Sequence, residues 1–282
     1  MRNRGLDGSK IAGKHGRNGV TRRLRQLFAV AVACLSGTLL LAQTPSAAGA
    51  VDAKQECAAC KVSPSPNALW SLAQCCSRCL QSNPGCREYD ATDEYIILKD
   101  NSKTKPDSYM IIPTKKVTGI EDPQVFELPF LDFWEYGWQV SQKYPGEPPA
   151  RIGMAINSEH GRTENQMHIH ISCLRPDVRK VLTAKDRKIG NDPEKSRKLK
   201  LPPQNHSYRA VKVTGLAGKS SPFEVIQAFP GVKGNMAAQS IALAATPKDG
   251  EFYVLDTQYH GKGTGSAEEL LDQTCKMPDA QP

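Results

Sequence analysis

Apolar residues recur along this chain with the two periods of regular structure. Residues 95–98 and 109–112 are short apolar β-type runs joined by a polar turn at 101–108, which predicts a hairpin. Within 129–144, Phe130, Phe133, Trp134, Gly137 and Trp138 fall at i, i+3, i+4, i+7 and i+8. That is one face of a helix, stopped by Pro145-Gly146. Core packing is the plain reading of its aromatic stripe. Residues 151–157 and 167–174 read as strands about a polar turn, and 252–255 as a late strand. Residues 266–275 read as a short helix, with Ser266 and Glu269 in capping-box spacing. A long connection runs from Pro176 to Tyr208. Strands and helices without regular βα alternation predict an α+β domain with a mainly antiparallel sheet and flanking helices. No internal repeat is present.

Charge changes this picture only at the N-terminus. The formal charge is +8, but residues 1–25 hold eight Lys/Arg and one Asp, and residues 26–50 hold no charge. Residues 51–282 are left with 29 positive and 28 negative side chains, so the balance gives no case for nucleic-acid binding. The basic start, the 16-residue apolar stretch at 27–42 and Ala48-Gly49-Ala50 before Val51 together read as an export signal, cleaved or kept as a membrane anchor. The expected location is therefore outside the cytoplasm, in the periplasm or on the periplasmic face of a bacterial inner membrane. The expected divisions are a leader at 1–50, a Cys-rich segment at 51–92, a domain at 93–275 and a tail at 276–282.

Of nine cysteines, six crowd between Cys57 and Cys86; Cys34, Cys173 and Cys275 complete the set. Removing the leader removes Cys34 and leaves an even number, which reads as disulfides in an exported chain. Cys173 with Cys275 is the expected long-range bridge, tying the C-terminal segment to the strand at 167–174. The rival reading is a zinc ribbon, because Cys57-x2-Cys60 and Cys76-x2-Cys79 have suitable spacing. The Cys-rich segment, full of turn formers, is expected to be a stapled appendage.

The chemistry is concentrated in residues 157–173. On a strand, Gln166, His168, His170 and Ser172 share one face, and Met167, Ile169, Ile171 and Cys173 share the other. One side is apolar and the other presents two imidazoles. A neutral imidazole nitrogen is a competent nucleophile toward phosphorus, and covalent catalysis divides one hard displacement into two easier ones. The preceding turn supplies Asn157, Arg162, Thr163 and Asn165, all phosphate-binding side-chain types, Arg162 in a form able to bind bidentately. Lys99, at a strand end, is a further candidate for phosphate contact. Two histidines at i, i+2 could instead be metal ligands lacking a third partner, or an incidental surface pair. His160, His206 and His260 suggest no partner. From Arg175 to Lys200 there are ten Lys/Arg and four Asp/Glu, a segment that could face anionic headgroups or be a solvated loop.

The block Ala155-Ile-Asn157-Ser, Gly161-Arg162-Thr163 and His168-Ile-His170-Ile-Ser172-Cys173-Leu-Arg175-Pro176-Asp177-Val178 resembles the bacterial CDP-diacylglycerol pyrophosphatase family. Residues 95–100 and 109–114 are similar to that family's opening strands, so the resemblance spans about 93–275. It implies a histidine-triad-like domain that hydrolyses CDP-diacylglycerol to CMP and phosphatidate through a nucleotidyl-histidine. It implies no metal and no cofactor. Gln166, Ser172 and Arg175 join the candidates for substrate contact. The triad pattern has three histidines, and this chain has two. With Gln166 at the first position, the nucleophile is His168 and His170 is its partner on the leaving-group side; this register is preferred. With His168 first, the nucleophile is His170 and Ser172 is third. A soluble nucleotide pyrophosphate is the second substrate reading. A secreted Cys-rich zinc or disulfide binding module without catalysis is the third. The membrane surface is an expected partner, nucleic acid is not, and the sequence leaves the oligomeric state open.

Overall fold

The computed structural model describes residues 62–80, 83–259 and 265–278. The expected leader, Cys57, Cys60 and His260 lie outside the described residues. The described strands are β1 (Cys86–Asp90), β2 (Tyr95–Lys99), β3 (Tyr109–Pro113), β4 (Ile152–Ile156), β5 (Ile169–Leu174), β6 (Arg197–Leu201), β7 (His206–Thr214), β8 (Gln239–Ala245), β9 (Glu251–Gln258) and β10 (Leu271–Asp272). They form one antiparallel sheet in the order β1-β2-β3-β5-β4-β8-β9-β7-β6, with β10 beside the end of β5. The expected α+β class and antiparallel sheet are what the chain adopts. Helices α1 (Ala68–Arg78), α2 (Phe133–Ser141), α3 (Pro176–Lys185) and α4 (Pro222–Gln227) flank it. No described helix is long and apolar enough to cross a membrane.

The period-2 pattern of each strand divides the sheet into two unlike faces. One face is a continuous apolar cluster that includes Ile97, Ile111, Met154, Ile169, Ile171 and Leu243. Phe133 and Trp134 of α2 and Phe223 and Ile226 of α4 cover it, all fully buried. Each such side chain contributes about 1.5–3 kcal/mol relative to exposure. Gly137 belongs to the aromatic stripe for a steric reason: Met154 and Ile111 occupy the space a Cβ would need.

The other face carries two separate clusters. Over β1–β3, Ile96, Leu98, Met110 and Ile112 pack with Ala73 and Cys76 of α1. Over β4 and β7–β9, Ala155, Ala242, Ala244 and Leu255 pack with Val178 and Leu182 of α3 and with Ala267 and Leu270 of a 3-10 turn (Ala267–Leu270). The small residues on β4 and β8 let the C-terminal segment come close. A Cβ on Gly153 would collide with Leu271. Strand β5 lies between these clusters, and its His170 and Ser172 point into the gap.

Four expectations are corrected here. The Cys-rich segment is not an appendage in its described part, because α1 packs on the sheet and β1 is its edge strand, pairing with β2. The connection 176–208 is not a loop. Pro176 opens α3 at the position where a missing N–H costs nothing, and β6 pairs with β7. The helix expected at 129–144 begins as a 3-10 turn (Phe130–Asp132) and is α-helical only over α2. The helix expected at 266–275 is a 3-10 turn followed by β10. Ser266 makes no cap there; its hydroxyl donates to Asn157 Oδ1 at 2.9 Å.

The expected bridge Cys173–Cys275 is present and spans 102 residues. Cys76 is joined to Cys86, and Cys75 and Cys79 are disulfide-bonded too, which withdraws Cys76 and Cys79 from the zinc-ribbon reading. The Cys173–Cys275 bridge holds Cys275 at φ +52°, a left-handed conformation few L-residues adopt. Closing a loop that long restricts the unfolded chain strongly, so replacing both cysteines by alanine is expected to cost about 2–5 kcal/mol. Denaturant unfolding of that variant checks it, and an unchanged free energy would show that the bridge adds no stability.

Candidate active site

His168 stands one residue before β5, at the end of the β4–β5 connection. That connection is tied down over its last residues. The backbone N–H of Asn165 donates to Pro66 O at 2.5 Å, and that of Met167 donates to Val117 O at 2.6 Å. The fully buried Gln166 side chain donates from Nε2 to Pro113 O at 3.0 Å and Lys115 O at 2.8 Å. The Gln166 backbone carbonyl is thereby fixed, and it lies 2.7 Å from His168 Nδ1. A carbonyl only accepts, so Nδ1 carries a proton. In the neutral ring the lone pair is then on Nε2.

His170 is two residues on, with its ring 4.9 Å from that of His168 and nearly edge-on to it, at 77°. Its Nε2 is 3.5 Å from Glu268 Oε2, and its buried Nδ1 has no hydrogen-bond partner among the described residues. Glu268 sits on the 3-10 turn Ala267–Leu270. It accepts from Lys105 Nζ at 2.7 Å, from Asn157 Nδ2 at 3.3 Å and from Gln273 Nε2. Asn157 is held in return, its Oδ1 accepting from the Ser266 hydroxyl and the Glu268 N–H.

Electrostatics keep both imidazoles neutral. Burial pushes the His168 pKa below the usual value of 6.5, against the Gln166 carbonyl and Glu268, which favour the charged form. Burial lowers His170 as well, with help from His168 and Lys105 and opposition from Glu268. Burial alone would raise the Glu268 carboxyl. The His170 ring when protonated, the Lys105 ammonium and the Asn157 amide outweigh it and hold the group below its ordinary range. With His170 neutral, Lys105 is the main counter-charge of this carboxylate. Around His170 the resting site therefore holds the Glu268 carboxylate, the Lys105 ammonium and two uncharged imidazoles, with Glu164 and Arg162 within electrostatic reach of His168.

Of the residues singled out in the sequence, His168, His170 and Asn157 come together, and Thr163 and Asn165 lie exposed on the turn that leads to them. The others do not join as expected. Lys99 pairs in register with Tyr109, whose side chain belongs to the opposite face, and its ammonium lies 5.6 Å from the Tyr109 ring centroid. The Arg162 side chain is 5% exposed and forms a two-pronged ion pair with Glu121 at 2.5 and 2.6 Å. Gly119 leaves room for that guanidinium. Arg175 pairs with Asp177 at 2.7 and 3.1 Å. Ser172 is fully buried within donor range of Asp107 O and Asp272 O, which makes it a tie between neighbouring segments. Gln166 shapes the site through its backbone carbonyl, while its side-chain amide clamps the chain after β3.

Lys105 and Glu268 were missed. Lys105 lies in the polar turn between β2 and β3, where a lysine looks like ordinary surface. Glu268 is next to Glu269, which drew the capping-box reading and instead accepts from the Tyr208 hydroxyl at 2.7 Å. The signal that could have found Glu268 is the Cys173–Cys275 bridge, since it forces the C-terminal segment against the histidine strand. His160 packs against Tyr259, with ring centroids 4.4 Å apart, and His206 Nδ1 is 2.9 Å from Glu269. A cavity of about 590 Å³ lies beside β6 and β7. Its lining includes Arg209 and Asp256, which are paired to each other, and it contains no histidine or cysteine.

A family model described as CDP-diacylglycerol pyrophosphatase matches residues 64–279. A protein of Yersinia pestis named CDP-diacylglycerol pyrophosphatase is 33% identical over 202 residues, covering 68% of this chain and 76% of that protein. Among solved structures, yeast Ap4A phosphorylase in complex with AMP aligns with 61% of this chain and 58% of its own, at TM-score 0.38 and 11% identity. A DUF4931 family protein from Bacillus cereus aligns with 63% of this chain and 85% of its own, at TM-score 0.36 and 13% identity.

Because the native pKa of each histidine lies below its unfolded value, the unfolded chain binds more protons as pH falls below about 6.5. Stability is fully present above that pH and is lost below it, by up to about 1.4 kcal/mol per pH unit for each group. His168→Asn and His170→Asn are each expected to flatten the acid slope of unfolding free energy between pH 6.5 and 5. Slopes identical to wild type would contradict neutral burial of these rings.

Proposed function

This chain belongs to the CDP-diacylglycerol pyrophosphatase family and hydrolyses CDP-diacylglycerol, and we propose that it does so by passing the nucleotidyl group through His168. The observation that carries this assignment is the hydrogen bond from His168 Nδ1–H to the Gln166 carbonyl. It aims a lone pair out of Nε2 and stabilises the positive charge that the ring acquires when Nε2 bonds to phosphorus. His170 has no equivalent. Among the described residues its Nδ1 meets no carbonyl, and its Nε2 faces Glu268, an arrangement that suits a proton carrier better than a nucleophile.

In the first step His168 Nε2 attacks the phosphorus of the CMP half, and the bond to the bridging oxygen breaks. Phosphatidate departs with that electron pair, with His170 on the leaving-group side. Water then attacks the nucleotidyl-histidine, and CMP leaves as the N–P bond breaks. Exposed Thr163 and Asn165 are within the turn that borders the nucleophile and suit contacts to phosphate oxygens. Asn157 acts through Glu268, which it orients.

We place the protein outside the cytoplasm, on or near a membrane. Disulfides at four described cysteines with assigned partners, and at Cys75 and Cys79, suit an oxidising compartment. Exposed Lys185, Arg187, Lys188, Arg197, Lys198 and Lys200 form a basic stretch along α3 and β6 suited to anionic headgroups.

In detergent micelles with EDTA present, the wild type is expected to release CMP and phosphatidate. His168→Ala is expected to lose about a thousandfold or more in kcat. Soluble nucleotide diphosphates should be poorer substrates. If His170→Ala is dead while His168→Ala still turns over, the nucleophile is His170 and Ser172 takes the third place of the triad.

A further inference from the structure

The substrate brings two negative charges, because both phosphates of a nucleotide-linked diacylglycerol are diesters, ionised at neutral pH. The site that receives it already holds the Glu268 carboxylate, 16% exposed, at 3.5 Å from His170. The cations expected from sequence are engaged elsewhere: Arg162 with Glu121, Arg175 with Asp177, and Lys99 across the sheet. Arg162, though paired with Glu121, stays within electrostatic reach of His168, and Lys105 is the cation beside His170. Its side chain is one-third exposed, its ammonium is bound to Glu268, and it is within electrostatic reach of His170.

Two elements bring this ion pair to the site. Lys105 comes from the β2–β3 turn, whose last residue, Ser108, leads into β3. Glu268 comes from the 3-10 turn held by Ala267 and Leu270 in the apolar cluster, by Glu269 on Tyr208 and, downstream, by the Cys173–Cys275 bridge. Neither residue is needed to bury apolar surface. The charged and titratable groups facing His170 are His168 on its own strand side, Lys105 and Glu268. Its cross-strand neighbours Met110 and Ala155 are apolar.

We propose that Lys105 is the counter-ion of the substrate's pyrophosphate and that Glu268 is a positioning residue that exchanges it for a proton on His170. This rests on the reading of His168 as nucleophile and deepens it. On binding, the ammonium moves from the Glu268 carboxylate to the phosphate oxygens. Glu268, now without its cation and beside added negative charge, stabilises an imidazolium at His170, which takes one proton from solvent. His168 Nε2 then bonds to phosphorus. The departing phosphatidate oxygen takes the electron pair of the broken P–O bond and the proton from His170. In the second half, water gives a proton back to His170 as its oxygen bonds to phosphorus and the N–P bond breaks. His170 returns that proton to solvent when CMP leaves and Lys105 returns to Glu268. The arrangement resolves the contradiction in the resting site, where burial keeps His170 neutral although the leaving group needs a donor.

The test is the pH dependence of kcat and KM on CDP-diacylglycerol micelles for wild type, Lys105→Gln, Lys105→Arg, Glu268→Gln and His168→Ala. Near-ultraviolet circular dichroism verifies the fold of each. Losing a charge-assisted contact to phosphate, Lys105→Gln should raise KM by about tenfold or more, and Lys105→Arg should recover much of it. Glu268→Gln keeps the shape and the hydrogen bonds but not the charge. The alkaline limb of its kcat profile should move down by about 1–3 pH units, since an anion no longer supports the imidazolium. A purely structural Glu268 would leave that limb in place. With wild type active and His168→Ala dead, an unmoved limb in Glu268→Gln or an unchanged KM in Lys105→Gln overturns the exchange and leaves the nucleophile intact. Turnover by His168→Ala would instead remove the nucleophile reading on which the exchange rests.

Discussion

The hydrogen bond from His168 Nδ1–H to the Gln166 carbonyl constrains the rest of this site. It chooses the tautomer, and in the proposed reaction the tautomer decides which nitrogen of His168 faces phosphorus. A backbone acceptor is the steadiest partner available for this task, because a carbonyl cannot donate and cannot change its protonation. Its position must then be fixed by other means. The Gln166 side chain does this through the carbonyls of Pro113 and Lys115, and Met167 does it through Val117. With His168 proposed as the nucleophile and Gln166 in the first place of the triad, a glutamine there is no loss, since the bond to the ring comes from its backbone.

The sheet supplies the second constraint. One face carries a single continuous apolar cluster, while the other is divided into two clusters with β5 between them. The division removes water from the histidines without surrounding them by hydrocarbon on every side. Dry surroundings hold both rings neutral, as a nucleophile requires. They also disfavour the protonated donor that the leaving group requires. Glu268 and Lys105 stand where that conflict can be relieved, brought there by a C-terminal segment that closes over the small residues of β4 and β8.

Much of this arrangement was legible in local pattern. The alternation of residues 166–174 gave the two-faced strand and the paired imidazoles. The aromatic stripe gave α2, and cysteine number with context gave the Cys173–Cys275 bridge. What could not be read depended on register and on closure of distant segments. Lys99 sits in a correctly expected strand, but the pairing with Tyr109 turns it away. Arg162 has the chemistry of a phosphate ligand, yet Glu121, 41 residues earlier, claims both of its prongs. Strand β8 is rich in alanine and so lacks a strong apolar signal, although it lies near the middle of the sheet. Lys105 and Glu268 are 163 residues apart and meet only in the fold.

The central claim is that His168 carries the nucleotidyl group. Wild-type protein mixed with a stoichiometric amount of CDP-diacylglycerol, quenched in alkali within one turnover and mapped by peptide mass spectrometry tests it directly. The account predicts a cytidylyl adduct on the peptide containing residues 162–175, fragmenting to His168 and absent from His168→Ala. An adduct on His170, or complete turnover with no protein-bound nucleotide at any time point, would contradict it.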